Sequence, residues 1–148
     1  MNTGKKGLEL IKKYEGFYSK PYRDPIGIPT IGYGATYYPN KVKVTMQDKP
    51  LTEKQASDLL VQMLKVYENQ VALLVQRPIN QNQFDALVSF TYNLGATNLS
   101  KSTLLKKINA NPQDKSIADE FVKWNRAGGK VLNGLTKRRK DEAALYFS

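Results

Sequence analysis

A chain of 148 residues, 41% hydrophobic and 24% charged, has the size and balance of one folded globular domain, which argues against a disordered chain. It has neither cysteine nor histidine, so disulfides, thiolate or imidazole metal sites and Ser-His or Cys-His catalysis are excluded. Acid–base work falls to Asp, Glu, Lys or Tyr, and neither metal nor cofactor is expected. A net charge of +10 favours polyanions, whether nucleic acid, anionic lipid or bacterial wall polymer, without choosing among them.

In chain order, Leu8, Ile11 and Glu15 fall on one face of a first helix, and Gly16 favours its end. This N-terminal stretch mixes Lys5, Lys6, Lys12 and Lys13 with scattered apolar residues and has no signal-peptide core, so a protein made and first kept in the cytoplasm is expected. Residues 17–47 change character: Tyr-rich runs are cut by Pro21, Pro25, Gly27, Pro29, Gly32, Gly34 and Pro39. That pattern predicts a small antiparallel sheet with tight turns. Thr52 and Gln55 then form a capping box, opening a long helix through Ala56, Leu59, Leu60, Met63, Leu64, Tyr67, Val71 and Leu74. At about 23 residues it spans roughly 34 Å. Asn80 with Gln83 opens a helix that Gly95 closes, and further helices are expected over 102–110, 116–125 and 135–147. The uncharged stretches 25–40 and 86–100 are shorter than the roughly 20 apolar residues of a membrane span.

The expected architecture is therefore α+β and mostly helical. It is a single domain, residues 1–148, of two lobes with a cleft between them. A small sheet-bearing lobe covers about 15–55, and a helical lobe covers about 75–148 and packs with the N-terminal helix. The long helix joins them.

Glu15 closes the apolar face of the first helix. A carboxyl there loses hydration, which favours its neutral form and suits a general acid; a solvated Glu at a helix end is the plainer alternative. Asp24 lies nine residues on, in the turn-rich segment. Two carboxyls facing each other across a sugar ring are the usual requirement for glycoside hydrolysis, whereas an Asp before Pro25 also serves as a turn residue. Thr30 opens the run Thr30-Ile31-Gly32-Tyr33-Gly34, and its hydroxyl is either a water holder or simply that of a β-branched strand residue.

A Glu, eight residues, an Asp, five residues and a Thr is the signature of the phage-type lysozymes of glycoside hydrolase family 24, which this sequence resembles at Glu15, Asp24 and Thr30. Tyr14-Glu15-Gly16 and the Thr30–Gly34 run are similar to the flanking motifs. Also similar are Gln83 to Phe90, Tyr92-Asn93-Leu94-Gly95, Ser102 to Leu105, and the tail from Trp124 through Gly128-Gly129, Gly134-Leu135 and Arg138-Arg139 to Glu142. The likeness covers nearly the whole chain. One departure is Ala35, where many members carry a His that is regarded as structural.

The resemblance implies a lysozyme fold and a muramidase. Glu15 would protonate the oxygen between N-acetylmuramic acid and N-acetylglucosamine. Asp24 would help activate the attacking water, Thr30 would orient it, and the anomeric centre would invert. It also implies substrate contacts at Tyr92 and Thr103. Tyr92 is otherwise a core aromatic, and Arg138 either faces the cleft or belongs to a solvated basic face. Trp124 is expected to pack with Phe121. The expected partner is bacterial peptidoglycan, met by a monomer with no nucleic acid and no stable membrane insertion. A separate holin would open the inner membrane to give access to the wall. The rival readings are a catalytically dead wall-binding module and a basic nucleic-acid-binding protein; against the latter, the basic residues are spread along the chain rather than gathered in one stripe.

Overall fold

The computed structural model describes residues 1–148 and holds seven helices and two small antiparallel sheets. Helix α1 is Lys5–Glu15; strands β1 and β2 are Tyr18–Arg23 and Pro29–Gly32. Helices α2 to α6 are Glu53–Leu74, Gln81–Leu94, Ala96–Lys101, Thr103–Ala110 and Ile117–Val122. A hairpin, β3 (Arg126–Ala127) and β4 (Lys130–Val131), precedes α7 (Asn133–Tyr146). The chain divides into two compact units: Ile11–Lys65, and Met1–Leu10 with Val66–Ser148. No helix is long and apolar enough to cross a membrane.

In the Ile11–Lys65 unit, β1 pairs antiparallel with β2. The chain then turns back on itself, with Ile31 and Ala35 exchanging backbone hydrogen bonds of 2.9 Å. Gly32 and Gly34 make that turn possible, with φ of 66° and 90°, a region that side-chain-bearing residues rarely enter. Ile31, Ala35, Val44, Leu59 and Met63 form the core beneath it. Ala35, the departure from the family pattern, places its methyl in this apolar cluster. The Thr52–Gln55 capping box is present in both directions: Gln55 N–H donates to Thr52 Oγ1 at 3.1 Å and Thr52 N–H to Gln55 Oε1 at 2.9 Å. Helix α2 follows over 22 residues.

In the other unit, α3 and α7 pack together, and so do α6 and α7. The Asn80–Gln83 capping box opens α3. Trp124 and Phe121 each stand edge-on to Phe90, with centroids 5.7 and 5.9 Å away, so Phe90 is the ring that gathers both of them. Arg138, Arg139 and Glu142 of α7 are buried. Glu142 Oε2 accepts from Ser89 Oγ at 2.6 Å and from Arg139 at 3.2 Å. Arg139 Nε also lies 2.7 Å from Glu142 Oε1 without hydrogen-bond geometry. Charge attraction has no such directional requirement, so the two groups form an ion pair. Burial pushes the Glu142 carboxyl up, against the pull of Arg139 and Arg138.

Two elements differ from the sequence expectation. Gly95, with φ of 90°, ends α3 and starts α4 at once, so the expected stop is a one-residue break. Helix α6 ends at Val122 rather than Asn125. Beyond it the chain enters the β3–β4 hairpin, closed by Gly128 and Gly129 at φ of 58° and 78°.

The first turn of α1 is capped from another helix. Asp85 of α3 accepts from Gly4 N–H at 2.9 Å and from Gly7 N–H at 3.2 Å. A Cβ on Gly7 would come within 2.8 Å of the Asp85 side chain, so glycine is what admits the carboxylate. Removing the acceptor leaves buried donors unmet, at about 1–3 kcal/mol. Asp85→Ala is expected to lower unfolding free energy by roughly that amount in urea. A loss within error of zero would show that the cap contributes nothing.

Candidate active site

Glu15 is the last residue of α1, half-buried. The chain leaves the helix at Gly16, with φ of 74° and its N–H still bonded to Lys12 O at 3.0 Å. One turn before Glu15, Lys12 anchors this helix end to α2. Its Nζ donates to Ser57 Oγ at 2.6 Å, lies 3.6 Å from Glu53 Oε2 and sits 5.3 Å from the centre of the Tyr33 ring. The Tyr33 hydroxyl donates to Glu53 Oε2 at 2.8 Å, and burial together with that carboxylate pushes the phenol up to about 12. Lys12, Glu53, Ser57 and Tyr33 thus hold the segment that carries Glu15.

Asp24 sits where β1 ends. It is the turn residue that its place before Pro25 suggested: Oδ1 accepts from Ile26 N–H at 3.0 Å and from Ile28 N–H at 2.8 Å. The hydrogen bonds to its carboxylate fall on Oδ1, which leaves Oδ2 for other work. Its own N–H donates to Ile28 O at 3.0 Å. Thr30 is 4% exposed, and its hydroxyl donates to the same Ile28 O at 2.9 Å. The backbone N–H and C=O of Ile28 therefore fix Asp24 and Thr30 relative to each other. With its proton committed to Ile28, the Thr30 oxygen keeps lone pairs for accepting a further donor.

Tyr22 belongs with this group, and the sequence reading passed over it. It pairs across the sheet with Thr30. Burial pushes its phenol up, and the charges of Tyr18, Glu15 and Asp24 add to the shift. Tyr22 therefore lies within electrostatic reach of both carboxyls. A Tyr in a strand is ordinary β-former chemistry, so nothing in the sequence distinguished it. Lys12 carried a weak signal, being a cation one helical turn from the candidate acid.

Glu15, Asp24 and Thr30 all belong to the Ile11–Lys65 unit, whereas Tyr92, Thr103 and Arg138 belong to the other. Tyr92 is half-buried and edge-on to Tyr67 at 5.1 Å. Thr103 is exposed and follows Ser102, which caps α5 through Leu105 N–H. Arg138 is 4% exposed; it donates to Ser89 O at 3.2 Å and lies 3.4 Å from Glu142 Oε2.

A family model described as phage lysozyme matches residues 12–142, a span that takes in all six of these residues. The chain belongs to the phage lysozyme family. Its fold is lysozyme-like: it is similar to the solved structure of an endolysin from Escherichia coli O157:H7 phage FAHEc1, with a TM-score of 0.91, 38% identity, and coverage of 100% of this chain and 94% of that one. It is 40% identical over 153 residues to the endolysin of Bacillus phage B103, covering 100% of this chain and 55% of that protein, so it spans about half the length of that relative. Against the endolysin of Salmonella phage P22 it is 36% identical over 148 residues, covering 100% of this chain and 99% of that protein. Glu15 and Asp24 supply, within one unit, the residue type that glycoside hydrolysis uses.

Proposed function

We propose that the chain is an endolysin-type muramidase that hydrolyses the β-1,4 bond between N-acetylmuramic acid and N-acetylglucosamine in bacterial peptidoglycan. The observation that carries this reading is the arrangement of Asp24 and Thr30 on the backbone N–H and C=O of Ile28, in the same unit as Glu15. Glu15 donates its proton to the bridging oxygen as the bond from that oxygen to the anomeric carbon breaks. Water, held by Thr30 and deprotonated toward Asp24, adds its oxygen to that carbon from the opposite face, so the centre inverts. Tyr92 and Thr103 contact the sugars, whereas Arg138, buried against Ser89 and Glu142, makes no direct sugar contact in this reading.

The biological role that goes with this chemistry is lysis of a phage-infected host. The protein works as a monomer on peptidoglycan, needs no cofactor and does not bind nucleic acid. It reaches the wall after a separate holin has opened the inner membrane. Purified peptidoglycan tests the reaction. Muramidase action gives new reducing ends on N-acetylmuramic acid; release of stem peptides, or adsorption without release, would replace the reading with an amidase or a binding module.

The double duty of Asp24 sets up a sharper test. Asp24→Asn keeps an oxygen for the Ile26 and Ile28 amides, and Asn suits such turns, but it removes the charge. The expected result is an unchanged melting temperature with turnover about 10²-fold lower or worse. Asp24→Ala should be severely impaired, and Asp24→Cys should keep some activity. Parent-level wall clearing by Asp24→Asn would reduce Asp24 to its turn role.

A further inference from the structure

Strand β1 contains a built irregularity beside the candidate site. Tyr18 pairs with Gly32 and Tyr22 with Thr30, so four steps along β1 face only two along β2. Along a regular strand, residues four apart are about 13 Å apart. Here the bulge brings the Tyr18 and Tyr22 rings to 4.1 Å between centroids, with planes 34° apart. Pro21 lies within the bulged stretch, where a proline is tolerated because the ladder is already interrupted.

The bulge is pinned as well as bent. Ser19 Oγ donates to Leu51 O at 2.8 Å, and Leu51 N–H returns a bond to Ser19 O at 2.9 Å. Bulges next to active sites re-aim side chains. This one leaves Tyr18 46% exposed and backed by Tyr22, whose hydroxyl feels Glu15 and Asp24. Neither the proposed proton transfer nor the packing of the Ile31 cluster uses the Tyr18 ring.

We propose that the Tyr18–Tyr22 stack is a sugar-binding platform, with a pyranose ring next to the scissile bond laying its C–H face on Tyr18 and Tyr22 holding that ring in plane. The proposal rests on the glycosidase reading of the same site. An aromatic face carries negative quadrupole charge, which suits the weakly positive C–H groups of a sugar. Being already stacked, Tyr18 surrenders little side-chain freedom on binding. Tyr18 is then a substrate-contact residue that governs affinity, and its ring matters where its hydroxyl does not.

The test is a titration of the chain with the N-acetylglucosamine tetramer, followed by NMR. This probe lacks the muramic acid of the proposed substrate, and binding is read without turnover. Tyr18→Ala should raise Kd by about five- to tenfold, while Tyr18→Phe stays within about twofold of the parent, with melting temperatures unchanged. Should Tyr18→Ala fail to fold, Tyr18→Leu replaces it with the same expectation. Parent-like affinity in Tyr18→Ala or Tyr18→Leu, equal losses in Tyr18→Phe and Tyr18→Ala, or no binding by the parent would each overturn the platform. Failure of the glycosidase reading would register separately, in the peptidoglycan products.

Discussion

Glu15→Gln should abolish wall lysis while leaving the fold intact. Glutamine has nearly the shape of glutamate and suits a helix end equally well, so α1 and its Lys12 anchor to Ser57 should persist. What disappears is the transferable proton. General acid catalysis contributes about 10²- to 10⁴-fold, and the loss should fall on kcat, because binding does not require the proton. Glu15→Asp is the companion variant. It keeps the acid but draws it back by about one bond length, and a misplacement of about 1 Å costs on the order of 10²-fold. Reducing-end release from purified peptidoglycan, measured beside circular dichroism spectra, reads both variants. A folded Glu15→Gln protein turning over at the parent rate would remove Glu15 from the mechanism.

The largest stability effect is expected at Glu142. Arg139 and Glu142 are 0% exposed and Arg138 is 4% exposed. Guanidiniums do not deprotonate in proteins, so Glu142→Gln removes the carboxylate that the two arginines share and leaves their charges buried. Breaking a buried ion pair from one side costs about 3–5 kcal/mol, which for a domain of this size lowers the melting temperature by roughly 10 °C or more. Replacing Arg138, Arg139 and Glu142 together with apolar residues of similar volume should recover most of the loss, since the penalty belongs to uncompensated charge rather than to lost shape. A Glu142→Gln protein within about 1 kcal/mol of the parent in urea would mean that the cluster is not the buried electrostatic unit its distances describe.

The sequence was most informative where one residue type has one physical use. Gly16 and Gly95 ended helices because they adopt positive φ, and the Thr52–Gln55 and Asn80–Gln83 pairs opened helices because their side chains replace missing backbone partners. It was least informative where the deciding interaction is distant in sequence. Asp85 sits in the middle of a helix and gives no local sign that it caps another one. The buried Ser89–Arg139–Glu142 cluster looks, residue by residue, like a solvated basic helix. At the candidate site, the spacing of Glu15, Asp24 and Thr30 was legible and their shared unit follows from it. The role of Ile28 was not legible, because it acts through its backbone and its side chain carries no trace of that. The β1 bulge was hidden too: Pro21 signals interrupted pairing, but only the register shows that two tyrosines are thereby stacked.

The Asp85 cap also has a consequence for synthesis. The residues from Ile11 to Lys65 are contiguous, so the ribosome delivers that unit in one uninterrupted stretch. Met1–Leu10, made before it, belongs to the other unit, and its amides at Gly4 and Gly7 find their acceptor about eighty residues downstream, at separations of 81 and 78. Bringing such ends together carries a loop-closure cost of roughly (3/2)RT ln n, and no local contact offsets it before α3 has emerged. The amides of Gly4 and Gly7 are therefore made well before the acceptor that caps them. The Asp85 cap on α1 forms only once the segment that supplies it has left the exit tunnel.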